Sequence, residues 1–171
     1  SQTFMNRSFW TAATSSGIVV NSPVKKWFTV NDAETIFDRL DQHGKTWKIY
    51  VMEPMRLSFH GIIHYSRLKD RLATNVVPFA EFEQDAAAGT LPDFSLIEPN
   101  FISGHGDYHP AFGRSFSDQV ALEVDGPSSV LSGETFLARV YDAYRSATSE
   151  TGTNVWNTAL LIGWDEPGGT Y

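Results

Sequence analysis

The sequence predicts an α/β fold, in which a central, mostly parallel sheet is flanked by helices. Segments with strand character alternate along the chain with segments of helical periodicity, and this alternation is typical of parallel sheets that carry helices on their faces. The last predicted strand, residues 158–163, is an almost unbroken apolar run, as expected of a strand that is covered on both faces. The length of 171 residues fits one domain.

Helices are predicted where apolar side chains recur at helical spacing behind a start signal. Asn31 and Glu34 have the spacing of a capping box at the start of the first helix. The second helix has a proline, Pro78, at its first position and a glycine, Gly89, at its end. Ser132 is the predicted cap of the third helix.

The remaining segments are predicted to be strands or irregular structure. Residues 46–51 alternate between apolar and polar side chains, and residues 94–97 form a short apolar run. Residues 3–21 are expected to form a loop or short helix and then an extended segment. Residues 52–75 have no clear period and are predicted to be irregular, with one helical turn near residues 65–72.

Several candidate functional groups follow predicted strands. The carboxyl ends of parallel strands share one edge of a sheet, where open α/β sheets bind their ligands. This edge would gather the loop after Val51, the histidine-containing loop of residues 100–132 and the turn with Asp165 and Glu166. Two adjacent carboxylates can hold one metal ion once the strand has broken into a loop, which the glycines behind them permit. The alternative is an acidic surface turn, since Asp-Glu before Pro-Gly-Gly is ordinary loop chemistry.

Other side chains that could carry chemistry allow more than one interpretation. His109, whose neighbours are a tyrosine and a proline, is a better candidate than His105, which lies between glycines; either could also be a solvent-exposed loop residue. Thr3 carries a hydroxyl that a metal or a base could activate, and Arg7 could clamp phosphate oxygens. Glu98 ends a predicted strand, where a cap or turn role is the more common one.

Composition excludes some classes of function. The net charge of -7 and the pI near 5.1 argue against a nucleic-acid groove, because phosphate backbones are bound by clustered Lys and Arg. The chain has no cysteine, so disulfides and thiolate metal sites are excluded and the compartment stays open. The sequence shows no signal peptide and no apolar run long enough to be a transmembrane segment.

Five motifs follow one another along the chain: TFMNR, TIFDRLDQHGKTWKIY, FEQDAAAGTLPDFSLIEPN, GDYHP and ALLIGWDEPGGTY. In this order they resemble the phosphoesterase family that contains bacterial non-haemolytic phospholipases C and related acid phosphatases. The resemblance covers essentially the whole chain. It implies a fold similar to alkaline phosphatase and a metal-assisted hydroxyl nucleophile that attacks phosphorus.

The resemblance also implies catalytic and metal-binding roles for individual residues. Thr3, three residues before the Asn-Arg pair, would be the nucleophile. His109, in the His-Pro loop, would contact the phosphate or assist the leaving group. Asp165 and Glu166, before the Gly-Gly turn, would coordinate a divalent metal ion whose identity stays open.

Two further residues would bind substrate. Asn6 would lie close to the bound phosphoryl group. His64 looks like a phosphate-side histidine of some family members, although from their surroundings alone His60 and His64 could equally be core or surface histidines. Met5 stands where the family usually has a proline, and the loop after His109 is longer than usual; neither departure removes a chemical group.

The family has an amino-terminal motif, with an acidic residue and an asparagine, that supplies the remaining metal ligands. No such motif occurs in this sequence. Residues 1–171 are therefore expected to be a single partial phosphoesterase domain that lacks this motif and the carboxy-terminal part. We expect such a fragment to bind metal weakly and to be inactive when isolated.

The leading hypothesis is metal-assisted hydrolysis of phosphate esters, of the phospholipase C or acid phosphatase type, through a covalent phospho-enzyme. The substrate would be a phospholipid or a phosphorylated small molecule. The alternative is a catalytically inert α/β module that binds a partner or a carbohydrate. The resemblance further implies a bacterial protein that is secreted or periplasmic, and the oligomeric state stays open.

Overall fold

A computed structural model of the chain describes residues 2–102, 106–109 and 129–166. Within these ranges the strands form one parallel sheet in the order β2–β1–β3, which confirms the predicted α/β class. Ile49 in the central strand pairs with Val76 on one side and with Leu96 on the other. The strands are β1 (Trp47–Val51), β2 (Val76–Pro78) and β3 (Phe94–Glu98).

Helices flank this sheet, and a 3₁₀ turn (Pro54–Arg56) follows β1. No helix of the described residues is both long and apolar enough to cross a membrane. In chain order the helices are α1 (Thr3–Ala12), α2 (Lys25–Thr29), α3 (Ile36–Gln42), α4 (Phe59–Ile63), α5 (Tyr65–Leu68), α6 (Leu72–Asn75), α7 (Phe79–Ala88) and α8 (Val130–Ser146).

The central strand β1 is buried on both faces. Ile49 and Val51 pack into a cluster with Phe37 of α3 and Leu68 of α5. Tyr50, which points the other way, joins a second cluster formed with α7 and α8. Both faces of β1 are covered because helices lie on either side of the sheet. Successive side chains of the strand therefore point alternately into one apolar cluster and into the other.

A third apolar cluster holds α1 in place beside the carboxyl edge of the sheet. Phe4 and Met5 of α1 are buried there against Trp27 of α2 and Phe59 of α4. The ring of Phe4 meets both of these aromatic rings edge-on. Met5, where the family usually has a proline, is therefore a core residue of this protein.

The predicted cap of the first helix is wrong. Helix α3 begins at Ile36, and its cap is Thr35: the Thr35 hydroxyl accepts the Asp38 N–H, and Asp38 accepts the Thr35 N–H at 2.8 Å. Asn31 is instead buried and donates to the Ile63 carbonyl at 2.8 Å. The short helices within residues 52–75 also exceed the single helical turn that was predicted there.

Two other helix starts differ from the prediction by a few residues. Pro78 ends β2, which was not predicted, and serves as the N-cap, so that α7 begins at Phe79. Helix α8 begins at Val130, where Ser129 rather than Ser132 is the cap. Ser129 accepts a backbone N–H with its side chain, as Ser132 was expected to do.

The predicted strand at residues 158–163 is wrong. The segment is not part of the sheet, and Leu161 is 77% exposed. No backbone–backbone hydrogen bond joins residues 159–164 to the rest of the described chain. The segment lies along α8 instead, where the Tyr144 hydroxyl donates to the Thr158 carbonyl at 3.1 Å and Leu160 packs against the α7–α8 cluster.

We expect alanine at Gly89 to cost much more stability than alanine at Gly44. Both glycines have positive φ angles, 72° and 64°, so each substitution costs about 1–2 kcal/mol in the left-handed region. At Gly89 the new Cβ would lie 2.4 Å from Ser149, whereas at Gly44 it would meet nothing within 4 Å. Gly89→Ala should therefore lower the free energy of unfolding by roughly 1–3 kcal/mol more. Equal losses in denaturant titrations would contradict this packing.

Candidate active site

The candidate site lies at the carboxyl edge of the sheet. Because β2 is on one side of β1 and β3 on the other, the strand order reverses between β1 and β3, and open sheets bind ligands at such a position. Glu53, which follows β1, is buried and accepts the backbone N–H groups of Phe101 and Ile102, which follow β3. These hydrogen bonds fix the two loops against each other.

One face of α1 holds the Asp165-Glu166 turn. Thr3, Asn6 and Arg7 share this face because they are three and four residues apart. The Thr3 hydroxyl donates to Glu166 Oε1 at 2.9 Å. Asn6 Nδ2 donates to the Asp165 carbonyl, and Arg7 Nε donates to Asp165 Oδ2 at 2.8 Å. The start of the chain thus orients both carboxylates.

His109 approaches the same carboxylate from another loop. Its Nε2 lies 3.7 Å from Glu166 Oε1, the oxygen that accepts the Thr3 hydroxyl, and its Nδ1 lies 3.0 Å from Asp107 Oδ2. The hydrogen bond to Asp107 and the contact with Glu166 outweigh burial and raise the pKa of His109 to about 10. The same contact with His109 lowers the pKa of Glu166. The pair is therefore an imidazolium facing a carboxylate at neutral pH.

An aromatic contact positions the His109 loop beside the acidic turn. The Tyr108 ring meets the Trp164 ring edge-on, with centroids 5.9 Å apart. Tyr108 also has a left-handed backbone conformation, with φ at 62°, which is uncommon for a bulky side chain and occurs often in functional loops. Since each aromatic residue directly precedes a site residue, this contact sets the distance between His109 and the acidic turn.

The structure thus brings together all of the predicted site residues except His64. The predicted roles of Thr3, Asn6, His109, Asp165 and Glu166 stay predictions, but their side chains do meet. His105 and the Pro-Gly-Gly turn behind Glu166 lie outside the described residues.

His64 does not reach this cluster. It is fully buried: its Nε2 lies 2.7 Å from the Thr11 hydroxyl and its Nδ1 lies 3.3 Å from Asn31 Nδ2. Burial, and then the charge of His60, lowers the pKa of His64 to about 3, so the ring is neutral. Because the Asn31 amide nitrogen can only donate, the His64 tautomer that fits this contact carries its proton on Nε2 and donates to Thr11. The geometry supports a structural role for His64, instead of the predicted contact with substrate.

Two further residues, Glu98 and His60, adjoin the cluster through Arg7, the side chain that the sequence analysis named as a possible clamp for phosphate oxygens. Glu98, the last residue of β3, is 1% exposed, and its Oε1 lies 2.6 Å from His60 Nδ1 and 3.5 Å from Arg7 Nη1. The signal for Glu98 was its place at the carboxyl end of a predicted strand. His60 gave no comparable signal, because its segment had no clear period.

The cluster offers a divalent cation the right kind of atoms. Asp165 and Glu166 supply carboxylate oxygens, the ligands that hard cations prefer. Both carboxylates also contact protein donors, Arg7 in one case and Thr3 in the other. Within the described part of the chain, no group of three or more acidic or histidine side chains is arranged to hold a metal ion. Further ligands would have to come from outside the described residues.

A cavity of about 500 Å³ opens at the carboxyl ends of β1 and β2. Its lining includes Met52, Met55 and Phe79, together with Arg139, which is paired with Glu83 at 2.8 Å. None of the predicted site residues lines it. The cavity and the cluster share one edge of the sheet, but all of the candidate catalytic side chains lie in the cluster.

A parallel α/β sheet here carries a hydroxyl, paired carboxylates and an imidazolium at its carboxyl edge, where open sheets bind their ligands. The model of the Phosphoesterase family matches residues 1–171, and the chain belongs to this family. It is 32% identical over 170 residues to the non-specific phospholipase C1 of Arabidopsis thaliana. It is also 30% identical over 173 residues to the non-specific phospholipase C6 of that plant.

These alignments cover 97% of this chain but only 27% and 28% of the two relatives. The chain thus spans about a quarter of their length. The predicted family is confirmed. Both relatives are plant proteins, so the predicted bacterial source remains a prediction.

We expect His64 and His109 to titrate on opposite sides of neutrality. By NMR, the His64 ring should stay neutral at pH 5, since its pKa is lowered to about 3. The His109 ring should stay protonated at pH 8, since its pKa is raised to about 10. Substitution of each histidine in turn assigns the signals. Titration of both rings near the ordinary value of 6.5 would contradict this geometry.

Their effects on stability have opposite signs. The pKa of His64 is lowered from 6.5 to about 3 in the fold, so below pH 6.5 the unfolded state binds a proton that the folded state does not. The contribution of His64 to the free energy of unfolding therefore falls as the pH drops toward about 3. His109 contributes stability that is fully present below 6.5 and is lost as the pH rises toward about 10. His109→Gln should therefore remove the loss of stability at alkaline pH and leave the loss of stability at acid pH unchanged.

Proposed function

We propose that this protein hydrolyses phosphate esters through a phosphothreonyl intermediate at Thr3. The hydrogen bond from Thr3 to Glu166 at 2.9 Å carries the proposal, because it places a hydroxyl, a carboxylate and an imidazolium around one point. Membership of the Phosphoesterase family and the likeness to two phospholipases C support this class of reaction.

In the first step Thr3 Oγ1 forms a bond to phosphorus and the bond from phosphorus to the leaving oxygen breaks. Glu166 accepts the Thr3 proton, because it already accepts that hydrogen bond. His109 donates its Nε2 proton to the leaving alkoxide. A pKa of about 10 keeps His109 protonated at neutral pH, so it acts as an acid at this stage rather than as a base.

In the second step water releases the phosphoryl group. The water oxygen bonds to phosphorus, its proton passes to the now neutral His109, and the bond between Thr3 Oγ1 and phosphorus breaks. Glu166 returns the proton to Thr3. Both side chains regain their starting states, so the cycle consumes only one water molecule per ester.

A divalent cation is part of the proposal because the side chains alone do not supply enough positive charge. Arg7 and His109 face four carboxylates, those of Glu98, Asp107, Asp165 and Glu166. A phosphate anion would enter a region of net negative charge, which opposes its binding. Asp165 and Glu166 would hold the cation, Glu166 through the carboxylate oxygen that does not accept the Thr3 hydroxyl, and the bound cation would polarise a phosphoryl oxygen.

Phospholipids are the substrate class that the names of the relatives favour, since both are phospholipases C. Soluble phosphate monoesters are the alternative within the same reaction class. Export to the periplasm or the cell exterior rests on the family resemblance and remains a prediction.

We expect Thr3→Val in the full chain to abolish turnover of a phosphocholine diester and of a chromogenic monoester. The loss should be on the order of a thousandfold or more, as for removal of other covalent nucleophiles. Thr3→Ser keeps a hydroxyl at the same place and should retain much of the activity. Mass spectrometry of the wild type, quenched during turnover, should find phosphate on Thr3.

Thr3→Val isolates the hydroxyl because valine has nearly the shape of threonine, and Thr3→Ser is the matched control. Full turnover by Thr3→Val would show that another group attacks phosphorus. If the full-length wild-type protein hydrolyses neither ester, the alternative of an inert binding module is correct.

Removal of metal should stop the same reaction. Dialysis against a chelator is expected to lower turnover by at least about a hundredfold. The reason is that a bound cation would stabilise the negative charge of the transition state by several kcal/mol. Addition of a divalent cation should restore the rate. Asp165→Asn should raise the concentration of cation needed for half of the full rate, and unchanged turnover in chelator would rule out a metal.

A further inference from the structure

A line of polar side chains runs from the interior of the domain to the candidate site. His60 Nδ1 lies 2.6 Å from Glu98 Oε1, and the same oxygen accepts the backbone N–H of His60 at 3.1 Å. Glu98 Oε1 also contacts Arg7 Nη1 at 3.5 Å. Arg7 in turn donates from Nε to Asp165 at 2.8 Å.

The inner end of this line is deeply buried. Glu98 is 1% exposed and His60 is 2% exposed. Burial alone would raise the pKa of Glu98, but the charges and hydrogen bonds of His60 and then the charge of Arg7 lower it. Glu98 is therefore an ionised carboxylate in the interior, and a buried charge is tolerated only where its partners are fixed.

Arg7 is held on its face as well as on its edges. Its guanidinium carbon lies 4.7 Å from the centre of the Phe101 ring and 5.8 Å from that of Phe59. These two rings are stacked on each other at 4.1 Å. Two nitrogens of Arg7 are engaged by carboxylates, and Nη2 has no hydrogen-bond partner among the described residues.

We propose that Glu98 and His60 are positioning residues for Arg7, which binds a phosphoryl oxygen of the substrate through Nη2. This inference rests on the proposed phosphoesterase function and adds to it a residue that binds the phosphoryl group. Nη1 and Nε fix the guanidinium plane between Glu98 and Asp165, so the remaining N–H groups keep one direction. A planar donor that is fixed before binding loses little entropy when the anion arrives.

The role assigned to Glu98 differs from that of an ordinary structural ion pair. Asp85 gives the comparison, since it contacts Lys48 at 2.6 Å and accepts from the Tyr50 hydroxyl at 2.7 Å. That pair also joins a helix to the sheet, but no described contact leads from it to the cluster. Asp85→Asn is therefore the matched control, because it also removes a carboxylate that pairs with a basic side chain.

The first measurement follows Arg7 itself by NMR. The wild type should show a slowly exchanging Nε–H resonance for Arg7, assigned by its loss in Arg7→Lys. Glu98→Gln should broaden or shift this resonance, whereas Asp85→Asn should leave it in place. An unchanged resonance in Glu98→Gln would overturn the positioning role.

The second measurement is the affinity of the full chain for inorganic phosphate by calorimetry. Arg7→Lys and Glu98→Gln should each weaken binding about tenfold, as expected for a hydrogen bond to a charged group. The double variant should be no weaker than either single variant, because both remove one interaction. A loss of about a hundredfold in the double variant would show independent effects and overturn the proposal.

A second set of variants applies if Glu98→Gln does not fold. His60→Asn places an amide donor near the position of Nδ1 and should retain phosphate affinity, whereas His60→Leu should lose about tenfold. Equal affinities of these two variants would contradict the proposal.

Hydrolysis of a chromogenic phosphate ester separates the two levels of inference. If the wild type hydrolyses the ester and Arg7→Lys keeps the wild-type phosphate affinity, Arg7 does not bind the phosphoryl group and only this inference fails. If the wild type neither hydrolyses the ester nor binds phosphate, the proposed function fails and this inference fails with it.

Discussion

The contacts of Arg7 connect three parts of the chain that are far apart in sequence. Its side chain joins the first helix to Glu98 at the end of β3 and to Asp165 near the end of the chain. Charged groups lose hydration when they are buried, so such a junction is stable only if each charge has a partner. Here the arginine is shared between two carboxylates, and aromatic rings cover its face. The cluster therefore depends on the docking of α1 as a whole.

That docking comes from apolar packing and from a buried hydrogen-bond network. Phe4 and Met5 anchor α1 in the cluster around Trp27. His64 supports the same helix from its other end: it donates to Thr11, whose hydroxyl donates to the Arg7 carbonyl at 2.9 Å. A histidine that the resemblance placed at the phosphate thus acts on the site through the backbone of α1. Its neutral state is a condition of this role, because a charged ring at that depth would lack a counter-ion.

The sequence was sufficient to predict the elements that are defined by local pattern. β1, β3 and α7 follow from alternation, apolar runs and helix stop signals that lie within each segment. The cap of α3 could not be chosen in this way, because Asn31 and Thr35 both precede an acidic residue at the required spacing. The choice was made by burial: Asn31 is used inside the core, where its amide satisfies a carbonyl.

Prediction failed where the outcome depends on partners elsewhere in the chain. Residues 158–163 have the composition of a buried strand, but a strand also needs a neighbour with free backbone groups, and composition does not report one. Likewise, the candidate site residues were chosen by their positions in motifs, and their roles stay predictions. Only the topology of parallel strands suggested that residues from both ends of the chain meet at one edge of the sheet. The contact of His60 with Glu98 could not be predicted, because the two residues are 38 positions apart in the sequence.

Glu166 gives the proposed reaction a built-in order. Its Oε1 faces both the Thr3 hydroxyl and His109 Nε2, and its negative charge is one of the causes that raise the pKa of His109 to about 10. In the proposed first step the proton of Thr3 would neutralise Glu166, and the contribution of this carboxylate to the raised pKa of His109 would be lost. His109 would then become a stronger acid as the leaving oxygen gains negative charge. In the proposed reaction the shared Glu166 carboxylate thus couples activation of Thr3 to protonation of the leaving group. His109 would keep its proton until Thr3 attacks phosphorus and would release it afterwards.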